Sequence, residues 1–360
     1  MKSGEVSRQG SGEAGSAVLR SRLLTWYDAA ARTLPWRAGP GTVQRTDPYF
    51  VWLSEVMLQQ TTVPHATPYF LAFTRRWPTV SDLAAADDAE VMAAWAGLGY
   101  YARARNLLKC ARAVAARHGG LFPDTEEVLL TLPGIGPYTA AAVAAIAFDQ
   151  PANVVDGNVE RVMSRLFAIE TPLPAARVEI RARAAGFIGA AADRHGDWAQ
   201  ALMDLGATVC RPGVPDCAAC PLAQGCAARA AGAPGRYPLK APRVERPHRH
   251  GVVWVALQDG MVARVRRPDK GLLGGMMALP TSDWRDSPWC RAEMEGVAPA
   301  VADWQLAGSV AHVFTHFSLT LDVYVAEVGA EIAGAHWLPV TGAEVGLPSV
   351  FLKALQRGLA

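Results

Sequence analysis

The five residues Leu132-Pro133-Gly134-Ile135-Gly136 constrain this chain more than any other stretch. They are too few and too rich in glycine to be anything but a tight turn. Helical sequence stands on both sides, DTEEVLLT before and PYTAAAVAAIAF after. Pro137 suits the first position of the second helix, where a missing N–H costs nothing. Such a hairpin can turn the backbone N–H groups of Gly134, Ile135 and Gly136 outward at a helix N-terminus. That makes an anion site, and the anion it suits is a DNA phosphate. The plain alternative is an ordinary corner between two helices. Against it stands Asp156, in a Val-Val-Asp-Gly-Asn turn just beyond the second helix and before a third, VERVMSRL. A carboxylate beside a phosphate-gripping turn is placed to act on a nucleotide.

At 360 residues the chain has room for two or three domains, each with its own core. Hydrophobic residues make up 51% and charged residues 19%, and much of the apolar fraction is alanine in helical runs. No apolar run reaches the length of a membrane span, so none is expected. The net charge of +2 says little, but its distribution says more. Residues 1–249 carry five more basic than acidic side chains and residues 250–360 carry three fewer, so the positive charge lies with the hairpin. The Gly/Ser-rich start lacks the apolar segment of a secretory signal, and residues 1–20 read as a disordered tail. No Rossmann or P-loop glycine fingerprint is present.

A helix begins near residues 21–31, and an LPWR turn and a Gly/Pro loop follow. Further helices are expected over 50–62, 68–76, 88–96, 101–117, 124–131 and 137–148, a six-helix barrel over about 45–150. Glu55 sits among Trp52, Leu53, Val56, Met57 and Leu58. A surface glutamate is the ordinary reading; a run this apolar makes a partly buried carboxyl with a raised pKa equally good. Two more helices are expected over 174–192 and 197–210.

Cys210, Cys217, Cys220 and Cys226 then follow in a C-x6-C-x2-C-x5-C run. A secreted disulfide framework does not suit a large helical chain with no signal segment. Zinc usually takes two well-separated CxxC knuckles, whereas one compact run suits four thiolates around an iron–sulfur cube. Cys110 and Cys290 stand alone and read as ordinary thiols. Residues 234–250 read as a Pro/Arg/His-rich linker, in which His248 and His250 are solvated side chains rather than metal ligands. Beyond it, residues 251–360 read as a small α+β domain. It has strands over 251–257 and 261–266 joined by a Gln-Asp-Gly turn, and a glycine loop over 271–275. An alternating strand over 314–325 and a closing helix over 349–358 complete it.

The hairpin, the VVDGN aspartate and the cysteine loop, in this order, resemble the helix-hairpin-helix DNA glycosylases that carry a [4Fe–4S] cluster. LSEVMLQQT at 53–61, GLGYYARARNL at 97–107 and the added C-terminal domain resemble, within them, the adenine DNA glycosylase (MutY) family. The resemblance implies a mostly α glycosylase domain over 21–233, with the cluster held by the four cysteines, and a Nudix-like domain over 251–360. The endonuclease III type, which acts on oxidised pyrimidines, places a Schiff-base lysine where this chain has Tyr138, so little strand cleavage is expected.

The resemblance also implies the chemistry. Glu55 protonates adenine, and Asp156 stays ionised opposite the developing charge on the sugar. Burial must keep the first protonated and hydrogen bonds the second ionised, with Tyr138 and Asn158 as candidate partners. Leu34, Trp36, Arg37 and Gln200 are implied at the adenine pocket. Gln60, Thr61, Leu98, Tyr100 and the hairpin residues Gly134, Ile135 and Gly136 are implied at the DNA. Phe314-Thr315-His316 stands where the family reads 8-oxoguanine opposite the adenine; the family has serine at the middle position, and threonine keeps its hydroxyl. Glu160 departs from the basic residue that can occur beside the catalytic loop, and is expected to turn away from DNA. The implied substrate is duplex DNA with A:8-oxoG or A:G pairs. A monomer in the cytoplasm, on the nucleoid and off the membrane, is expected. Two rival functions fit the residues less well. A Mg-dependent pyrophosphohydrolase needs several glutamates on one helical face, and only Glu293 and Glu295 are near, two apart. A DNA-binding protein without chemistry would have no use for both Glu55 and Asp156.

Overall fold

The computed structural model describes residues 6–42, 45–188, 193–242, 245–268, 271–314 and 316–360, with side chains from residue 15 onward. The chain divides into two compact units, residues 1–242 and 243–360.

The first unit is helical. Its elements are α1 (Val6–Ala30), α2 (Pro48–Met57), α3 (Val63–Arg76), α4 (Val80–Ala85), α5 (Asp88–Ala94), α6 (Ala102–His118) and α7 (Glu126–Leu129). They continue with α8 (Pro137–Phe148), α9 (Gly157–Leu166), α10 (Arg177–Ala185), α11 (His195–Thr208) and α12 (Ala227–Ala230). The expected tail over residues 1–20 is corrected: helix runs from Val6. Arg20, Leu23 and Tyr27 recur at helical spacing and are buried in the core. Once that packed end is formed, extending the helix toward its N-terminus needs no new nucleus. A helix passed over in the sequence, α4, begins with a capping box in which Thr79 and Asp82 satisfy each other's backbone N–H groups.

Helix α8 is the centre of this unit. Thr139 through Ala147 are all buried, so it is apolar on every face. It packs against α2 on one side and α11 on the other. Alanines permit close approach: a Cβ added at Gly196 of α11 would lie 2.7 Å from the Ala145 carbonyl oxygen. Two elements that carry candidate site residues, α2 and α11, are therefore packed directly against one small-residue helix that carries Tyr138 itself.

The second unit is a sheet of order β3-β2-β1-β5-β4, with β6 paired to β2. The strands are β1 (His248–Gln258), β2 (Met261–Arg266), β3 (Met277–Ala278), β4 (Gln305–Val313), β5 (Ser318–Glu327) and β6 (Ala335–Pro339). Helix α13 (Arg291–Gly296) lies between β3 and β4 in sequence, and α14 (Ser349–Gly358) closes the chain. Both faces of β1 are covered, as its period of two requires. Val253 and Val255 join the core with Phe351 and Leu355 of α14. Val252, Trp254 and Ala256 join the one with Met294 and Trp304.

Two expectations here are corrected. His248 and His250 are not in a solvated linker but begin β1, because His248 pairs in parallel with Ser318 of β5. The strand expected from residue 314 starts at Ser318; before it, the Phe314 N–H donates to the Phe317 carbonyl at 2.9 Å. The long edge strand β4 has no counterpart in the sequence reading. Its burial alternates poorly, and it pairs only through its neighbour β5.

Candidate active site and cysteine loop

Glu55 lies on α2 with its carboxyl buried, and Tyr138, in the first turn of α8, donates its hydroxyl to Glu55 Oε2 at 2.7 Å. Removing the carboxyl from water pushes its pKa up to about 7. The Tyr138 hydrogen bond opposes the shift, the nearby Asp156 charge adds to it, and Arg37 opposes it. Burial followed by the neighbouring carboxylates holds the Tyr138 hydroxyl well above the usual tyrosine range, so it remains a donor.

Asp156 is the N-cap of α9. Its Oδ1 accepts the Val159 N–H at 2.7 Å and its Oδ2 accepts from Asn158 Nδ2 at 2.8 Å. Capping is the reason the VVDGN turn has this shape: the aspartate that stops the loop also starts the helix. The carboxylate is thereby fixed in direction, with the Arg161 guanidinium as a nearby positive charge.

Glu55, Tyr138, Asp156 and Asn158 line one cavity of about 450 Å³, whose wall also includes Leu34, Trp36, Arg37, Gln60, Thr61 and Gln200. Ten of the sequence-derived site residues thus meet in one place, drawn from an early loop, α2, α8, α9 and α11. Trp36 is buried and packs edge-on against Phe70 at 5.1 Å between ring centroids. Gln200 is buried with its Oε1 unpartnered, an acceptor available to a ligand donor.

The sequence reading missed Asp204. It is fully buried on α11, and its Oδ1 binds Arg32 Nε at 2.6 Å and Arg37 Nη1 at 2.8 Å. Both arginines line the cavity, so this carboxylate holds them in place and blunts the pull of Arg37 on Glu55. An aspartate inside the otherwise apolar run ALMDLGA carried the same signal as Glu55, a charge in a helix with little solvated face. Arg161 was missed too. Its Nη2 donates to Asn158 Oδ1 at 2.9 Å and its Nε to the Cys210 carbonyl at 2.8 Å. It thus joins the Asp156 loop to the cysteine loop.

Two residues implied at the DNA are corrected. Leu98 is buried in the core, so its side chain is not available to a partner. The Ile135 N–H donates to the Leu132 carbonyl at 3.2 Å and does not point outward, because the turn closes on itself. Among the described residues, the amides of Gly134 and Gly136 have no backbone partner, and Gly134 takes φ +75° as a tight turn demands. Gln60 and Tyr100 are exposed, both with positive φ. Glu160 pairs with Arg177 of α10 at 2.8 Å.

Cys210 follows α11, Cys226 caps α12, and all four loop cysteines are free thiols lining one small pocket with Arg165. Arg165 is buried, and its Nη1 lies 3.3 Å from Cys210 Sγ. Among the described residues no three metal-binding side chains converge on a point where a single ion would sit. The four thiols around this pocket, with a guanidinium donor beside one of them, form a soft donor set.

In the second unit Phe314 stacks on Trp284 at 5.6 Å and His316 is exposed beside it; Thr315 lies outside the described residues. Glu293 and Glu295 of α13 are each engaged by a different arginine, Arg285 and Arg291.

Comparison with known proteins agrees with this geometry. Residues 53–184 match the HhH-GPD superfamily base excision DNA repair protein family, and residues 251–357 match the NUDIX domain family. The chain is 36% identical over 387 residues to an adenine DNA glycosylase of Mus musculus, covering 89% of this chain and 74% of that protein. It is 43% identical over 224 residues to one of Mycolicibacterium smegmatis, covering 62% of this chain and 73% of that protein. Among solved structures it is similar to a thermostable thymine-DNA glycosylase, at 28% identity and TM-score 0.52, over 61% of this chain and 97% of that one.

Proposed function

This chain belongs to the adenine DNA glycosylase family of base-excision repair, and from that premise we propose that it removes adenine paired with 8-oxoguanine or guanine without cutting the strand. The observation that carries the reading is the pair Glu55 and Asp156. One carboxyl is buried with its pKa pushed up to about 7; the other is directed by backbone and amide donors in the same cavity.

The adenine leaves the base stack and enters the cavity, where Trp36 and Leu34 supply apolar walls and Gln200 an open acceptor. Glu55 donates its proton to adenine N7. The C1′–N9 bond breaks with its electron pair going to the base, so the leaving group departs neutral. Positive charge develops on the sugar opposite Asp156, whose carboxylate stabilises it electrostatically. Water then attacks C1′ and gives its proton to Glu55, which is restored. Tyr138 holds Glu55 in place throughout and offers no amine for a Schiff base, which supports hydrolysis without strand cleavage.

Cys210, Cys217, Cys220 and Cys226 would hold a [4Fe–4S] cluster. Hydrolysis needs no electron, so the group would serve to cross-link the loop that follows α11. The amides of Gly134 and Gly136 would grip a phosphate at the start of α8. The turn at residues 314–316 would read the opposite base, and the paired states of Glu293 and Glu295 support recognition rather than metal-dependent hydrolysis in that unit. No described helix is long and apolar enough to cross a membrane. A monomer acting on nucleoid DNA in the cytoplasm fits these features.

Single-turnover reactions on duplexes holding one A:8-oxoG, A:G or A:T pair, each read with and without hot alkali, test the proposal. Breaks in the adenine strand only after alkali, fastest opposite 8-oxoG, are expected. Breaks without alkali, or equal rates for A:T, would overturn it.

A further inference from the structure

Arg103, in the first turn of α6, makes an unusual set of contacts for one side chain. Its Nη1 donates to the carbonyls of Val56 at 2.8 Å and Met57 at 3.2 Å, and its Nη2 to those of Leu98 at 3.1 Å and Gly99 at 3.3 Å. The first pair are terminal carbonyls of α2, which have no partner within their own helix. They follow Glu55 directly in sequence. The second pair belong to the turn that presents Tyr100. One guanidinium therefore finishes the helix that carries the catalytic acid and ties it to an aromatic loop 40 residues away in sequence, by direct hydrogen bonds to both.

Exposed Tyr100 directly follows the second pair of carbonyls, and exposed Gln60 lies three residues past the first, in the turn that leaves α2. Gln60 has φ +63° and Tyr100 has φ +50°, a region that side chains other than glycine occupy at a cost of about 1–3 kcal/mol unless their surroundings impose it. At Tyr100 the surroundings impose it. The Arg103 guanidinium lies over the rings of Tyr100 and Trp95, 5.4 Å from each centroid, and Trp95 Nε1 donates to the Gly99 carbonyl at 3.0 Å. Tyr100 is 62% exposed although its backbone is held this firmly. A strained, exposed aromatic on a rigid base is suited to entering a base stack, as an amide side chain beside the cavity is suited to filling the space a flipped base leaves.

We infer that Arg103 is a positioning residue that locks the Gln60 and Tyr100 loops in one register, so that both enter the duplex together while the end of the Glu55 helix stays fixed. The inference rests on the glycosylase reading above. A capping arginine that only stabilised the fold would lower stability without being coupled to either wedge residue, and that difference can be measured.

The experiment is a double-mutant cycle of Arg103→Met and Tyr100→Ala, with Arg103→Lys as a second variant that keeps the charge and stem but not the fork that reaches four carbonyls. Each full-length protein is mixed with an A:8-oxoG duplex carrying 2-aminopurine beside the adenine, and both the fluorescence rise on unstacking and the single-turnover release of adenine are followed. Arg103→Met and Arg103→Lys should each slow both signals about tenfold, and the Tyr100→Ala, Arg103→Met protein should be no slower than the worse single variant, a coupling of about 1.4 kcal/mol. Losses that multiply, or an unstacking signal that Arg103→Lys leaves unchanged, would overturn the inference. Loss of adenine release in the wild-type protein, with the unstacking cycle still coupled, would instead remove the glycosylase reading and keep Arg103 as a wedge-positioning residue.

Discussion

Glu55, the proposed proton donor, sits where burial works against its ionisation. In the unfolded chain its carboxyl ionises near the ordinary glutamate value of 4.5; in the folded protein it does so at about 7. Between those values the folded state keeps a proton that the unfolded state has released, so stability falls as pH rises through that window and is level above it. Glu55→Gln removes the penalty while keeping an acceptor for Tyr138. It should abolish adenine release and stabilise the protein at pH 8 by about 2–3 kcal/mol, with little gain at pH 4.5. Thermal melts of the two proteins at both pH values decide this, and an equal gain at both would show that ionisation is not the cause. The same titration predicts that the single-turnover rate falls as pH rises through about 7, because only the protonated carboxyl can donate.

The hairpin between α7 and α8 presents two glycines with different duties. Gly134 has φ +75°, and a Cβ there would lie 2.7 Å from Asn106 Cβ, so the turn depends on it twice. Gly136 has φ −96° and nothing within 4 Å of an added Cβ. Gly134→Ala should therefore cost about 1–3 kcal/mol and weaken binding to uncleaved duplex, whereas Gly136→Ala should leave stability within about 0.5 kcal/mol. Denaturant titration of the pair is the check, and equal losses would mean that the turn is held by something other than the backbone geometry of Gly134. Around the hairpin the larger pattern is of elements serving two ends. Helix α9 is started by the carboxylate proposed to face the sugar, and its Arg161 and Arg165 both reach the Cys210 carbonyl, Arg161 at 2.8 Å and Arg165 at 3.2 Å. Helix α11 supplies Gln200 and Met203 to the cavity, holds Arg32 and Arg37 at its wall through Asp204, and then leads into Cys210.

Across the whole molecule the two units have separate cores, one entirely within residues 1–242 and two within residues 243–360. Every residue of the proposed chemistry lies in the first. A fragment of residues 1–242 should fold and release adenine opposite guanine, yet lose the preference for 8-oxoguanine by about tenfold or more, the worth of one or two hydrogen bonds to the lesion. Rates of the fragment and the full chain on A:8-oxoG and A:G duplexes test it, and an unchanged ratio would take the lesion-reading role away from residues 314–316.

Glu55, Asp156, the hairpin and the four cysteines were legible in the sequence because each belongs to a short contiguous pattern in which local geometry and chemistry coincide. So was the two-part organisation, since texture and periodicity change along the chain. Other features were not local. The Asp204 clamp joins residues 172 and 167 positions apart, and nothing near Arg32 or Arg37 marks them as partners of a buried carboxylate. The edge strand β4 and the early start of β1 exist because β5 offers them hydrogen-bond partners, a property of the sheet and not of either segment. Leu98 and the Ile135 amide stand in motifs that the family resemblance implies at the DNA, but packing took the first and turn closure the second. The sequence by itself determined which groups are present for the chemistry. Only the tertiary structure decided which are buried, paired or free, because burial and partnership are set by what the distant chain brings alongside.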